Sequence, residues 1–212
     1  MTRWGMVVDL RRCVGCQTCT IACKLDNGTP PNVYWRLVRD VEIGRYPSVK
    51  RFFLPLQCMH CADPPCLTVC PTTATRKRGD GIVYIDYSKC IGCGYCILAC
   101  PYEARWLIKG RKGFFNNLLT EPEKLSPLSD KVGVCTKCDF CVDRIDYGIA
   151  NGLKPGVDPD ATPMCVNSCI AKALVFGDLD DPNSEVSRLI REKNGFRLLT
   201  EMGTDPSIYY VW

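Results

Sequence analysis

The chain has a single histidine, His60, and no apolar run near the roughly 18 residues that a membrane-spanning helix needs. One imidazole excludes a histidine-rich metal site and any Ser–His–Asp set. An integral membrane protein is not expected, although attachment to a membrane complex stays open. Met1–Leu10 holds no apolar core segment and no small-residue cleavage site, so no secretory leader is expected there. Charge of one sign is also scarce. Lysine and arginine number 27 against 23 acidic residues, and a net +4 without a basic face does not point to nucleic acid. At 24% charged and 46% hydrophobic the chain is too apolar for disorder.

Cysteine is what is abundant, at 17 of 212 residues. That is close to the level of a cysteine-built scaffold. The chain is far longer than a disulfide mini-protein, however, and any metal chemistry here is thiolate chemistry. The cysteines fall into four groups. Cys13, Cys16, Cys19 and Cys23 are spaced C-x2-C-x2-C-x3-C. Cys58, Cys61, Cys66 and Cys70 read C-x2-C-x4-C-x3-C, with Pro71 next. Cys90, Cys93, Cys96 and Cys100 repeat the first spacing, with Pro101 next. Cys138, Cys141, Cys165 and Cys169 place 23 residues between a C-x2-C and a C-x3-C. All four begin and end alike, which makes an internal repeat of chemistry with variable middles rather than a solenoid.

The spacing has a physical reason. Three closely spaced thiolates wrap one corner of an iron–sulfur cube, and the N–H groups of so tight a loop face the cluster sulfurs. Gly15, Gly92 and Gly94 allow the close approach. The fourth cysteine, a helical turn further on, faces away and ligates the other cluster of a pair. Proline after it suits a chain that leaves the cluster sharply. Four motifs need 16 thiolates for four [4Fe–4S] clusters, and 17 are present. Structural zinc has no use for C-x2-C-x2-C-x3-C-P. Disulfides would leave one thiol over. Cys135 complicates the fourth motif, because Cys135, Cys138 and Cys141 also read C-x2-C-x2-C. The residues alone leave Cys135/Cys138 and Cys138/Cys141 both open.

The short gap from Cys70 to Cys90 suits one compact two-cluster ferredoxin. That unit sits inside another whose halves are the first and fourth motifs. Cross-ligation then predicts four sets: Cys13, Cys16, Cys19 with Cys169; Cys58, Cys61, Cys66 with Cys100; Cys90, Cys93, Cys96 with Cys70; and Cys138, Cys141, Cys165 with Cys23. The expected fold is α+β, two bacterial-ferredoxin-like modules, one inserted in the other, with an added β-hairpin and loops. Residues 1–57 and 109–180 form the split module and 58–108 the inserted one. Residues 181–212 form a C-terminal helix and a partner-docking tail.

Short strands are expected at Met6–Leu10, Gly81–Asp86, Arg105–Ile108 and Leu174–Phe176. Asn32–Glu42 and Lys50–Gln57 flank a turn-like IGRYPS as a hairpin. Short helices are expected to begin within each C-x3-C. Ser184 caps a surface helix to Lys193. Lys109–Val134 and Asp146–Pro163 lose periodicity and read as loops, either interaction surfaces or solvated insertions. The tail ending Ile208–Trp212 is expected to dock on this chain or on a partner. His60 either hydrogen-bonds a cluster sulfur or simply packs. Arg105 and Arg144 either raise a cluster potential or form ordinary salt bridges. Arg11–Arg12 is not a twin-arginine signal, since cysteines rather than an apolar segment follow it. No catalytic residues are expected.

DLRRCVGCQTCTIACK, QCMHCADPPCLTVCP, KCIGCGYCILACPYEAR and TKCDFCVDR…PMCVNSC…FGDL together resemble the four-cluster iron–sulfur subunit of complex molybdopterin oxidoreductases. That family includes the electron-transfer subunits of dimethyl sulfoxide, polysulfide, thiosulfate and arsenate reductases and of phenylacetyl-CoA:acceptor oxidoreductase. The resemblance spans roughly Arg3–Asp180. It implies a separate large catalytic subunit with a molybdenum or tungsten bis-pterin, and often a membrane anchor or quinone-linked subunit. The chain alone is then non-catalytic. It is expected to be cytoplasmic or co-exported with its partner and peripheral to a membrane, with the cytoplasmic side favoured. The family's fourth motif resembles K-C-x2-C-x2-R, matched by Lys137, Cys138, Cys141 and Arg144, which makes Cys135 the spare. Cys93 stands where nitrate-reductase-type relatives lose a ligand, so four [4Fe–4S] clusters are implied. Ile170 replaces the proline that often follows the last cysteine, and is expected to loosen that turn. The Lys109–Val134 insertion is longer than in polysulfide-reductase-like members. A polyferredoxin-type carrier for another redox enzyme, such as a hydrogenase, and a non-redox metalloprotein are the other readings.

Overall fold

The computed structural model describes residues 2–110, 112–115 and 118–212. Met1, and residues 111, 116 and 117 of the expected 109–134 loop, lie outside the described residues. Small sheets and short helices mix throughout, in a ferredoxin-like α+β fold.

Strand β1 (Trp4–Asp9) is buried at every position. It is the middle strand of three, antiparallel to β8 (Leu174–Asp178) and parallel to β9 (Ile208–Val211). A strand covered on both faces reads as a continuous apolar run, as WGMVV does. Met6 and Val8 face the main core with Phe176, whereas Val7 faces Val186 and Val211. Val186 belongs to α7 (Glu185–Glu192), whose cap, Ser184 Oγ, accepts from the Ser187 N–H at 3.2 Å. The C-terminal run thus docks in this chain's own sheet, with Ile208, Tyr210 and Val211 fully buried.

β2 (Arg36–Arg45) and β3 (Ser48–Gln57) form the expected hairpin, in register from Arg36 opposite Gln57 to Arg45 opposite Ser48. Only its base is buried; the outer half extends into solvent. Two smaller pairs complete the sheets. β4 (Thr75–Lys77) pairs with β5 (Val83–Ile85), and β6 (Trp106–Leu107) with β7 (Cys135–Thr136).

Four helices carry the C-x3-C segments: α1 (Thr18–Asn27), α2 (Pro65–Thr68), α3 (Tyr95–Leu98) and α6 (Met164–Asn167). Each starts one residue before the third cysteine of its motif. α1 packs on α6, and α2 on α3. The loop expected over Asp146–Pro163 begins later than its composition suggests, because α5 (Val142–Ala150) runs into it and buries Ile145. The 109–134 insertion is not a free loop either. It contains α4 (Glu121–Lys124), with a capping box between Thr120 and Glu123, and Ser126 Oγ donates to the Gly28 carbonyl at 2.9 Å. The insertion is thereby tied to the C-terminal end of α1.

Candidate metal centres

The four motif loops share one backbone feature. The residue before the second cysteine is left-handed in each: Gly15, His60, Gly92 and Phe140 have φ of 69°, 44°, 67° and 64°. At Gly92 the approach is so close that a Cβ would lie 2.0 Å from the Gly133 carbonyl oxygen, and at Gly15 2.4 Å from the Phe53 ring. His60 and Phe140 take the same strained turn with side chains, and their rings stack at 3.7 Å between the second and fourth loops. In the fourth motif the turn falls at Phe140, ahead of Cys141; Lys137, ahead of Cys138, is not left-handed. Cys135 lies apart, in β7.

The exit turns also repeat. The Thr73, Glu103 and Lys172 N–H groups bond back to the carbonyls of Cys70, Cys100 and Cys169 at 3.2, 3.3 and 3.1 Å. All three donors are left-handed. Ile170 does not loosen its turn, because the turn is set at Lys172 rather than at the residue after the cysteine. The first motif has no such exit, since α1 continues to Asn27.

These loops gather the cysteines into four groups, here numbered by the motif supplying three thiols. At centre 1, Cys13, Cys16, Cys19 and Cys169 line one small cavity. At centre 3, Cys90, Cys93, Cys96 and Cys70 line a second. At centre 4, Cys138, Cys141, Cys165 and Cys23 line a third. At centre 2, Cys58, Cys61, Cys66 and Cys100 lie close enough to act on one another. Burial pushes the Cys61 thiol up to about 12, and Cys58, Cys66 and Cys100 add to the rise. Among the described residues, no three Cys, His, Asp or Glu side chains are placed to hold a single metal ion.

The surroundings suit an iron–sulfur group. Backbone N–H groups of Thr75, Cys135, Phe140 and Ala173 point at the sulfurs of Cys70, Cys90, Cys138 and Cys169, at 3.5, 3.4, 3.5 and 3.2 Å. Burial, then neighbouring thiols, drives Cys138 and Cys141 far above the ordinary thiol range. Such thiols ionise only onto a cation. Three small cavities, each lined by one of the expected sets of four cysteines, suit one kind of guest; Cys135 adds a fifth thiol at centre 3.

Cys135 is buried at the edge of centre 3. A hydrogen bond with Cys135, then the Arg105 charge, pulls the Cys96 thiol down. Arg105 is buried and donates to Cys66 Sγ at 2.9 Å and Thr75 Oγ1 at 3.1 Å, so it is no surface salt bridge. Arg144 is the structural one: it pairs with Asp26 at 3.6 Å and donates to the Thr162 and Pro159 carbonyls. His60 packs. It is fully buried, kept neutral by burial and then by Lys137, and its Nδ1 accepts from the Val83 N–H at 3.1 Å.

Two contributors, Asn27 and Arg36, escape a reading by motif, and a third, Lys137, is placed by its motif without a role. Asn27 Nδ2 lies 3.6 Å from Cys23 Sγ and 3.8 Å from Cys141 Sγ. Its position one helical turn after Cys23 is the signal that could have found it. Arg36 and Lys137 are buried cations; Arg36 sits at an inward position of an otherwise apolar strand base.

Comparison with known proteins completes the description. The family described as "4Fe-4S dicluster domain" matches residues 49–113. The chain is 41% identical to a selenate reductase subunit of Mesobacillus selenatarsenatis, covering 99% of this chain and 72% of that one. It is 40% identical to the putative dimethyl sulfoxide reductase iron–sulfur subunit of Halobacterium salinarum, covering 100% and 79%. It is 34% identical to the arsenate respiratory reductase iron–sulfur subunit of a Shewanella strain, covering 99% and 96%.

Proposed function

This chain belongs to the family of iron–sulfur electron-transfer subunits of molybdopterin oxidoreductases, and from that premise we propose that it holds four [4Fe–4S] clusters and relays single electrons for a molybdenum or tungsten bis-pterin catalytic subunit. The other terminus of the relay is a quinone-linked or soluble redox partner. The ligands are Cys13, Cys16, Cys19 and Cys169 at centre 1, and Cys58, Cys61, Cys66 and Cys100 at centre 2. They are Cys90, Cys93, Cys96 and Cys70 at centre 3, and Cys138, Cys141, Cys165 and Cys23 at centre 4. Cys135 is not a ligand. The observation that carries this reading is the gathering of 16 cysteines, from four separated motifs, into four groups of four.

A [4Fe–4S] group bound at a centre supplies a one-electron carrier. The chain's residues do the rest. The thiolates grip, the backbone N–H groups facing the sulfurs favour their charged form, and the apolar lining keeps water out. The same grouping supports two modules. Residues 1–57 and 109–180 form one, tied by α1 on α6 and β1 beside β8. Residues 58–108 form the other, tied by α2 on α3 and β4 beside β5. Residues 181–212 close the first module's sheet, leaving Trp212 exposed for a partner. Among the described residues no helix is long and apolar enough to cross a membrane. Membrane contact is therefore assigned to a partner chain, with this one peripheral.

The test is anaerobic isolation with iron and acid-labile sulfide analysis, followed by a redox titration read by electron paramagnetic resonance. Four irons and four sulfides per centre and four reducible signals are expected, with a large pterin-containing chain co-purifying. A colourless chain carrying zinc would overturn the reading.

A further inference from the structure

Among the described residues three cations are buried: Arg36, Lys137 and Arg105 are each at most 4% exposed. Among the described residues, none of them forms an ion pair with a carboxylate. Arg36 donates to Gln57 Oε1 and Met6 Sδ, none of its nitrogens meets a carboxylate, and the Cys19 thiol of centre 1 lies within its reach. Lys137 donates to the carbonyls of Val83 and Cys138. Arg105 donates to Thr75 and to Cys66. A buried charge without a counter-charge is strongly disfavoured, so something negative has to face each one.

Their positions say what that is. Arg105 lines the cavity of centre 3 while donating to a thiol of centre 2. Arg36 lines the cavity of centre 4, and its charge also acts on Cys13 and Cys19 of centre 1. Lys137 bonds the backbone of Cys138 at centre 4, and its charge reaches Cys66 at centre 2. It stands beside the His60–Phe140 stack that joins those two loops. The centres therefore follow one another in the order 3, 2, 4, 1, with one buried cation in each of the three gaps.

Resting on the ligand sets proposed above, we infer that Arg105, Lys137 and Arg36 are the counter-charges of the electron path, each favouring the reduced state of the two centres it separates. Reduction adds one negative charge to a centre, and a fixed cation in a water-free gap stabilises that extra charge in both neighbours. Placing the cation between two centres rather than beside one favours both reductions together and keeps the step between them level. Among the described residues, Lys137 alone of the three has a carboxyl within range of its charge, Asp139 of the centre 4 lining, which does not pair with it and whose pKa burial raises, so the middle cation is expected to act most weakly.

The test uses the intact complex and a redox titration of its four signals. Arg36→Gln is expected to make reduction at least tenfold harder at two signals, which for a one-electron couple is about 59 mV. Arg105→Gln should shift the other two. Lys137→Gln should shift one from each pair, by less. This overlap pattern needs no prior assignment of signals. Arg36→Lys, Arg105→Lys and Lys137→Arg keep the charge and should hold the parent potentials. Iron-replete neutral variants with all four potentials unmoved would overturn the inference. So would a uniform shift of all four, or conservative variants that shift as far as the neutral ones. If a neutral variant at one site loses its iron, the remaining two still predict either one shared signal or none. A parent complex without four clusters would instead sink the ligand reading itself.

Discussion

The halves around centres 1 and 4 and around centres 2 and 3 repeat one chemistry on different foundations. The first has a three-stranded sheet whose middle strand is wholly buried, a ten-residue helix, and a second apolar layer beneath α7. The second has a hairpin of three-residue strands and two four-residue helices. Its own buried cluster consists of Ala74, Val83, Ile85 and three cysteines. A two-stranded hairpin is marginal in water without support. One half thus has a large apolar core of its own, whereas the other has a small cluster and otherwise lends Met59, Ile82, Ala104 and Ile108 to that same core.

The largest expected effect follows directly. Stripping iron with a chelator should release residues 58–108 first, because their separate apolar cluster is small and clusters held as proposed would supply more of their folding energy. Amide exchange at Val83 and Ile85 should rise about a hundredfold more than at Val7 and Phe176, or about 2.8 kcal/mol of local stability. Equal loss in both halves would erase the contrast.

A smaller effect separates two glycines of one loop. Gly92 and Gly94 both have positive φ, but a Cβ at Gly92 meets the Gly133 carbonyl at 2.0 Å, whereas at Gly94 it meets nothing within 4 Å. Gly94→Ala should cost only the left-handed strain, about 1–2 kcal/mol. Gly92→Ala should cost more and reduce iron occupancy at centre 3. Iron analysis and thermal melting of the two variants measure the difference. Equal behaviour would mean that the third loop has slack which the close approach of Gly133 does not suggest.

This contrast also bears on what the amino-acid order reveals. The cysteine groups, the β2–β3 hairpin and the Ser184 cap are legible because spacing, β-branched runs and capping chemistry are local. The left-handed turn is legible where it is glycine and hidden where it is His60 or Phe140. There, stacking between two distant loops compensates the strain. Helix α5 is hidden because Gly148 interrupts it, and that glycine is needed where a Cβ would lie 2.2 Å from Ala161 Cβ. β4 is hidden because Thr75–Lys77 is short and polar and becomes a strand only through its partner β5. Arg36 escapes for the same reason, and so does the role of Lys137, whose motif places it without showing its burial: what both do lies in which thiols surround them, which no window of sequence contains.

The half with the larger apolar core should carry an acid-sensitive lock. Asp9 ends β1, accepts from the N–H groups of Arg11 and Arg12 at 3.1 and 3.2 Å, and pairs with Lys193 at 2.5 Å. Burial alone would raise its pKa, but the Lys193 bond and these N–H groups outweigh it and hold the carboxyl below its ordinary value. A depressed folded value means that the contribution is complete above the unfolded pKa and is lost as pH falls through the folded one. Asp9→Asn should therefore destabilise by about 1–2 kcal/mol at neutral pH and by almost nothing at a pH well below the depressed folded value. Denaturant melts at the two pH values check this, and a pH-independent difference would show that the role is packing.

The smallest expected effect lies at Asn27, which exists only because α1 outlasts the other three motif helices. Its amide reaches Cys23 Sγ and Cys141 Sγ, and so touches thiols from two motifs at one centre. Hydrogen bonds at these sulfur distances are weak, and Asn27 is neutral, so it should matter less than Arg36 at the same centre. Asn27→Leu keeps the bulk and removes the donor. It should make reduction of one signal harder by about threefold, or about 28 mV for a one-electron couple. The other three signals, and the iron content, should stay unchanged. A shift as large as that of Arg36→Gln would mean that hydrogen bonds to sulfur, rather than buried charge, set the potential in the deeper half.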